Sequence, residues 1–323
     1  MPKQNTVFIS YRRATSSYIA RAIYQALKER GYDVFLDVEN IGNGPFAQEI
    51  LRQIPSRAHF VLVLSPGALD RINEPHDWVC REIQEAIARE RNIVPFATHD
   101  FVWTAEIEAQ LEKAGIEHIK TVNSVPAVHH EWFEEAIDRL CKRYFTTTKL
   151  IPIITQTEND LALVEEMREK NEELEQHPLS HLLAQHFYMQ ASAKRGVQDW
   201  EGIILDLDDA LKHEPDNAHF LHFRGQTKLR RNDAQGGLYD LHTATQVDPK
   251  YAPPYHDIAS YQYHCGEYKA AIEDLDIAIS LDRELGVAYY TRGLVHQKMG
   301  NMGLAIIDFR KADELGYTPE AED

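Results

Sequence analysis

The stretch from Phe60 to Ile83, FVLVLSPGALDRINEPHDWVCREI, decides the fold of the first half of the chain. It opens with the unbroken apolar run Phe60 to Leu64, the pattern of a strand buried on both faces of a parallel sheet. The run breaks at Ser65-Pro66-Gly67, passes through a polar loop and restarts as a helix carrying Trp78 and Glu82. Four residues apart, these two project from one side of that helix as neighbours. An aromatic and a carboxylate beyond the end of a buried strand suit a nucleotide site, and Glu82 is the candidate catalytic group.

Working outward, Val7-Phe8-Ile9 reads as a short buried strand ending at Ser10-Tyr11-Arg12-Arg13. Ile19, Ile23, Ala26 and Leu27 then recur at helical spacing from about Ser17 to Arg30, and Gly31 is placed to end that helix. Val34-Phe35-Leu36 is a second strand, followed by a loop from Asn40 to Phe46 and a helix from Ala47 to Ile54. Ile93 to Phe96 gives a fourth strand and His118–Val122 a weaker fifth. A closing helix runs from Glu131 to Tyr144, with Trp132, Ala136, Ile137 and Leu140 on one face. Strands alternating with helices predict a parallel sheet covered on both faces. In the order 2-1-3-4-5, ligands sit beyond the carboxyl ends of the first and third strands, where the order reverses. Arg12-Arg13 and the residues after Ser65 meet there.

The second half is differently built. Ala210, Ala244, Ala278 and Ala312 are 34 apart, as are Leu207, Leu241, Leu275 and Phe309, and small residues recur at Ala191, Gly225, Ala259 and Gly293. A helix-turn-helix period of that length resembles tetratricopeptide repeats. It predicts four units, 184–217, 218–251, 252–285 and 286–319, after a connector and acidic helix at 146–183. The resemblance implies an all-α solenoid whose concave face presents Tyr188, Arg195, His222, His256, Tyr263 and Tyr290 to a peptide; packing between repeats is the alternative role for some of them. After the fourth unit only Glu320 to Asp323 remain, so Leu304, Ile307 or Phe309 is expected to be partly exposed and to meet another subunit or a partner.

Bulk composition narrows the classes. The chain has 323 residues, 43% of them hydrophobic and 26% charged, as in soluble globular proteins. Its net charge of −17 is uneven: residues 1–145 hold 17 Lys+Arg against 20 Asp+Glu, or −3, leaving −14 for the rest. So acidic a second half argues against nucleic-acid binding. Cys80, Cys141 and Cys265 form no CxxC, which argues against a disulfide framework or zinc site and fits a reducing cytosol. The 16 histidines include no HExxH, His129-His130-Glu131 lacks a partner cluster, and the histidines are expected on the surface. No apolar run reaches about 18 residues, so neither a membrane span nor an export signal is expected.

VFISYRR, GYDVFLDVENI, FVLVLSPGALD, WVCREI and NIVPF together resemble the successive boxes of a TIR domain over roughly residues 5–145. That resemblance implies a flavodoxin-like α/β fold with a five-stranded parallel sheet at 1–145. The chain is most similar to the NAD-cleaving branch, typified by the metazoan axon-degeneration NAD hydrolases. There the Glu of WxxxE is catalytic, which falls on Glu82. The arginines after the first strand fall on Arg12 and Arg13, and the loop aromatic on Phe46; the family places an acidic residue in that loop where this chain has Gly42. NAD+ is then the substrate, with no prosthetic group and no metal. The resemblance also implies self-association through the TIR domains and a role in immune signalling.

The residues suit that chemistry. A pyridinium leaving group needs no general acid, so one carboxylate can stabilise the developing oxocarbenium charge where ordinary glycosidases use two. Trp78 can wall the pocket or pack in the core. Arg12 and Arg13 can meet the pyrophosphate, or one can pair with an acidic neighbour such as Asp37. Helix phase separates Glu82, at the edge of the Val79/Ile83/Ala86 stripe, from the more solvent-facing Glu85. Two alternatives stand beside NAD+ hydrolysis: a non-enzymatic TIR–TIR adaptor, and an enzyme making a cyclic product.

Overall fold

The computed structural model describes residues 5–36, 46–120, 125–128, 133–146, 157, 161–162, 164–165 and 178–318. It divides into two compact units, Met1–His186 and Phe187–Asp323. In the first, β1 (Thr6–Ser10), β2 (Asp33–Leu36), β3 (His59–Leu64), β4 (Asn92–Thr98) and β5 (Val125–Val128) form one sheet. Its order is β2-β1-β3-β4-β5 and every pairing is parallel, as expected from the sequence. The helices are α1 (Arg13–Glu29), α2 (Phe46–Gln53), α3 (Trp78–Ala88), α4 (Ala105–Ala114) and α5 (Phe133–Arg139).

Strand alternation sorts the core into two layers. Val7, Ile9, Val61, Val63, Val94 and Phe96 face α1 and α5, while Phe8, Phe35, Phe60, Leu62 and Leu64 face α2 and α3. Phe8 stacks between Phe35 and Phe60, with ring centroids 5.4 and 5.5 Å away. Ser10 therefore falls on the α3 side, two residues on from Phe8. Helix α1 begins at Arg13, earlier than its apolar spacing suggests, because the Thr15 and Ser16 amides bond the Arg12 carbonyl. It ends in a Schellman motif: Gly31 has φ +82°, and the Tyr32 and Gly31 amides donate to the Leu27 and Lys28 carbonyls.

The fifth strand corrects the expectation. Residues Glu117–Lys120 form a 3₁₀ turn that buries Ile119, and the strand lies later, at Val125–Val128. Pro126 hides it in the sequence, yet β5 is a sheet edge, where a missing N–H is tolerated. The histidine expectation also needs correction, since His59, His186 and His222 are buried. Among the described residues, no helix is long and apolar enough to cross a membrane.

The first unit also holds the opening turns of α6 (Leu179–Lys194), whose Leu182 and Leu183 join the α1/α5 layer. His186 follows them. Burial, reinforced by His99 and opposed by Asp100, lowers its pKa to about 4. The unfolded chain takes up this proton near pH 6.5 and the folded chain only near 4, so stability is lost as pH falls between those values. Melts of the full chain at pH 7 and 4.5 should show a loss about 2–3 kcal/mol larger for the wild type than for His186→Met.

Three further helix pairs follow: α7 (Trp200–His213) completes the pair with α6, then α8 (Ala218–Arg230) and α9 (Ala234–Val247), α10 (Pro253–Cys265) and α11 (Tyr268–Leu281), and α12 (Gly286–Lys298) and α13 (Met302–Glu314). The small positions mark where paired helices approach. A Cβ on Gly225 would lie 2.9 Å from the Gly237 carbonyl oxygen, and one on Gly293 2.7 Å from the Phe309 ring. On the last helix, Leu304, Ile306 and Ile307 are exposed, while Phe309 is half-buried beside Tyr290.

A second 34-residue register holds the pairs together. Asp206, Asp240, Asp274 and Asp308 each lie on the second helix of a pair. The Arg224 guanidinium donates two hydrogen bonds to Asp240, at 2.8 and 2.7 Å, and a third to Asp208 at 2.6 Å; Lys228 adds an ion pair at 2.8 Å. Arg292 repeats the arrangement on Asp308 and Asp276. In the first pair Lys194 meets Asp206 at 2.7 Å. In the third, Ile258 takes the arginine position and Gln262 donates to Asp274 at 2.8 Å. Burial there raises the Asp274 carboxyl above its ordinary pKa, against the opposing Gln262 bond.

Candidate active site

The site is built where the strand order reverses, at the carboxyl ends of β1 and β3. Two buried hydroxyls meet there: the Ser16 and Ser65 oxygens lie 2.7 Å apart, and Ser65 donates to the Thr15 carbonyl at 3.3 Å. Both serines are buried, so the end of β3 is fixed to the first turn of α1.

Glu82 projects from α3 towards the end of β1. It is 7% exposed, and the Ser10 hydroxyl, itself 1% exposed, donates to its Oε2 at 2.6 Å. The apolar stripe Val79, Ile83 and Ala86 seats the helix on the sheet, which fixes the direction in which Glu82 points. Glu85 lies elsewhere: it is half-buried and accepts a hydrogen bond from Arg89 one turn on, at 2.7 Å. The distinction drawn from helix phase thus has a structural basis.

Asp77 organises the other wall. Its Oδ1 accepts from the Cys80 amide at 2.9 Å and so caps α3. Its Oδ2 accepts from Arg12 Nη1 at 2.5 Å, while Arg12 Nε donates to the Ala68 carbonyl at 3.0 Å. Arg12 therefore ties the end of β1 to both ends of the β3–α3 loop, and its acidic partner is Asp77. Its Nη2 is buried with no hydrogen-bond partner among the described residues. Asp37, the partner suggested from sequence, lies outside the described residues, as does Gly42.

The remaining site residues are placed less centrally. Arg13 is half-buried at the first position of α1, and Phe46 is the first residue of α2. Trp78 is half-buried at the start of α3, with the Arg81 guanidinium 5.1 Å from its ring centroid. Arg81 also donates to His76 Nδ1 at 2.5 Å, and His76 has φ +73°. A polar cavity of about 240 Å³ lies among Asp77, Cys80, Arg81, Gln84 and Lys113. Helix phase puts Cys80 and Gln84 opposite Glu82, so this cavity is behind the helix and apart from the crevice. Burial, with Asp77 nearby, raises the Cys80 thiol above its ordinary pKa.

In the second unit each expected groove residue has internal contacts. Tyr188 stacks on Phe220 at 5.1 Å, and the Arg195 guanidinium lies 4.4 Å from the Phe223 centroid. Tyr263 borders Tyr268, and Tyr290 borders Phe309 and Tyr317. His222 and His256 converge on Asp257, with Nε2 and Nδ1 at 2.7 and 3.0 Å from its two oxygens. Gln226 donates to the same carboxylate at 2.6 Å; His222 also meets Tyr251, and His256 meets Thr291. The two histidine bonds outweigh burial and hold the Asp257 carboxyl well below its ordinary pKa.

Sequence reading missed Ser10, Asp77 and Asp257. Ser10 has a usable signal, since alternation puts it on the same face as Phe8, beneath the helix that carries Glu82. Asp77 directly precedes an expected helix and reads as a cap, which conceals its second bond to Arg12.

Residues 7–141 match the family described as TIR domain, and residues 287–315 match tetratricopeptide repeat. Among curated proteins, NAD(+) hydrolase tir-1 of Caenorhabditis elegans is 35% identical over 48% of this chain and 17% of its own length. NAD(+) hydrolase SARM1 of Danio rerio is 42% identical over 32% of this chain and 15% of its own. Tetratricopeptide repeat protein 36 of Danio rerio is 30% identical over 34% of this chain and 63% of its own. The chain thus spans less than a fifth of either hydrolase.

Proposed function

From a chain that joins a TIR domain to tetratricopeptide repeats, we propose that it cleaves the nicotinamide–ribose bond of NAD+, releasing nicotinamide with ADP-ribose or a cyclic ADP-ribose. The observation that carries this reading is Glu82: a carboxylate buried at the strand-order reversal and bonded by Ser10. The names of the two hydrolase relatives support the same substrate.

Departure of nicotinamide neutralises a cationic ring and leaves positive charge on the ribose. A fixed carboxylate beside that carbon stabilises the charge without a proton transfer, and desolvation strengthens the effect. In this reading Arg12, at the end of β1, and Arg13, at the start of α1, meet the pyrophosphate, and Phe46 and Trp78 supply the apolar walls. Hydrolysis and cyclisation share this first step and diverge in the nucleophile that captures the ribose.

The repeats serve assembly or recognition of a trigger protein, and enforced proximity of TIR domains switches on cleavage. The exposed Leu304, Ile306 and Ile307 of α13 are a candidate surface for that association. A cytoplasmic response of the immune or antiphage kind fits an enzyme that depletes a common metabolite. NAD+ is its substrate and no prosthetic group takes part.

The test is chromatography of NAD+ incubated with the purified full chain over a range of protein concentrations. Nicotinamide should appear, at a rate per molecule that rises with concentration. No nicotinamide at any concentration would leave the second reading, a non-enzymatic TIR–TIR adaptor with a protein-binding repeat domain.

A further inference from the structure

We propose that Asp77 is a positioning residue for Glu82: it ties the first turn of α3 to the end of β1 and so sets how far along the crevice the carboxylate stands. The inference rests on the reading of Glu82 as the group that stabilises ribose charge. It starts from the loop that delivers the helix. Strand β3 ends at Leu64 and α3 begins at Trp78, so residues 65–77 form the connection, a long one for a strand-to-helix step. A helix reached through such a loop is not placed by the strand before it. It needs a fixing point at its own start.

Arg12 supplies that point from the neighbouring strand. Its Nε holds the Ala68 carbonyl near the start of the loop, and its Nη1 holds Asp77 Oδ2 at the loop's end. The Asp77 side chain is 4% exposed and that of Arg12 16%, so water does little to weaken the charge-assisted bond. The other oxygen of Asp77 accepts from the Cys80 amide. One carboxylate therefore joins the backbone of α3 directly to the end of β1.

This tether and the Ser10–Glu82 contact are in step. Ser10 and Arg12 are two residues apart on extended chain, about 6.6 Å. Asp77 and Glu82 are five apart on the helix, about 7.5 Å along its axis. The order is reversed, as it is for a helix running antiparallel to the strand, so one axial setting of α3 satisfies both contacts. The apolar stripe of Val79, Ile83 and Ala86 fixes which face of α3 meets the sheet. Apolar contact is non-directional, however, and gives no stop against sliding along the axis. The ionic tether gives that stop. It acts through the helix backbone, so it holds whatever else Glu82 touches.

The test combines hydrogen exchange with kinetics on the full chain. Asp77→Asn keeps the shape and the cap, since asparagine caps a helix as well as aspartate, but turns a donor towards Arg12. Asp77→Ser also caps, without reaching Arg12. In both, mass spectrometry should show the amides of α3 exchanging about tenfold or more faster, the equivalent of one hydrogen bond to a charged group, while the repeat helices exchange as before. In NAD+ cleavage, either variant should lower kcat about tenfold with KM within about twofold. In a Glu82→Gln background, Asp77→Asn should change the residual rate less than about twofold, because no charge is left to misplace. Unchanged α3 exchange in both variants overturns the proposal. So does an equal loss of kcat with and without the Glu82 carboxylate, or a loss seen in KM alone, which would make Asp77 a support for substrate binding by Arg12. Exchange needs no turnover, so it decides the tether even if the wild type cleaves no NAD+, a result that would remove the enzymatic reading instead.

Discussion

Glu82→Gln is expected to lower the rate of nicotinamide release by a factor of about 10²–10³, with KM for NAD+ changed far less. That range is typical for removing one preorganised electrostatic contact to the transition state. The amide keeps the shape of the side chain, and its oxygen still accepts from Ser10, so the contact at 2.6 Å survives in kind. What disappears is the negative charge opposite the developing oxocarbenium ion. Substrate in the ground state has its positive charge on the nicotinamide ring and makes less use of that carboxylate, so the effect falls on kcat. Equal nicotinamide release from the two proteins would exclude Glu82 from the reaction.

Asp240→Ala is expected to destabilise the second unit by about 3–5 kcal/mol, as when one partner of a buried ion network is removed. Asp240 is 0% exposed and takes two bonds from Arg224 and a pair with Lys228. Alanine leaves Lys228 without this counter-charge and Arg224 with Asp208 alone, along with a void between α8 and α9. Asp274→Asn is the matched comparison. Its partner is the neutral Gln262, and burial raises its carboxyl above the ordinary pKa, so the amide should cost no more than about 1 kcal/mol. Guanidinium titrations of the full chain, followed by circular dichroism, would separate the two. Equal losses would mean that the arginine forks contribute nothing beyond packing.

Much of this was open to a reader of the chain. The run at Phe60–Leu64 and the four-residue spacing of Trp78 and Glu82 depend on local geometry alone, and they located β3, α3 and the carboxylate. Other features depend on what lies across space. Asp77 reads as a cap, and its bond to Arg12 joins residues 65 apart in the chain. The aspartate register at 206, 240, 274 and 308 is visible in the sequence, but its partner position holds Gln190, Arg224, Ile258 and Arg292 in turn. That alternation hides the ion pairs from a periodicity search. The fifth strand was obscured by Pro126, because proline argues against a strand until the strand is known to be an edge.

The carboxylate of Asp257 has a mechanical consequence. It joins His222 and Gln226 on α8 to His256 on α10, and His256 passes the connection to Thr291 on α12. Arrays of repeats normally unravel unit by unit from an end, each junction yielding at its own load. Here one anion bridges the second and third units and reaches the fourth through one imidazole. Pulled from its ends, this part of the array should resist as a single stiff spring and give way in one event, transmitting tension along its length until then.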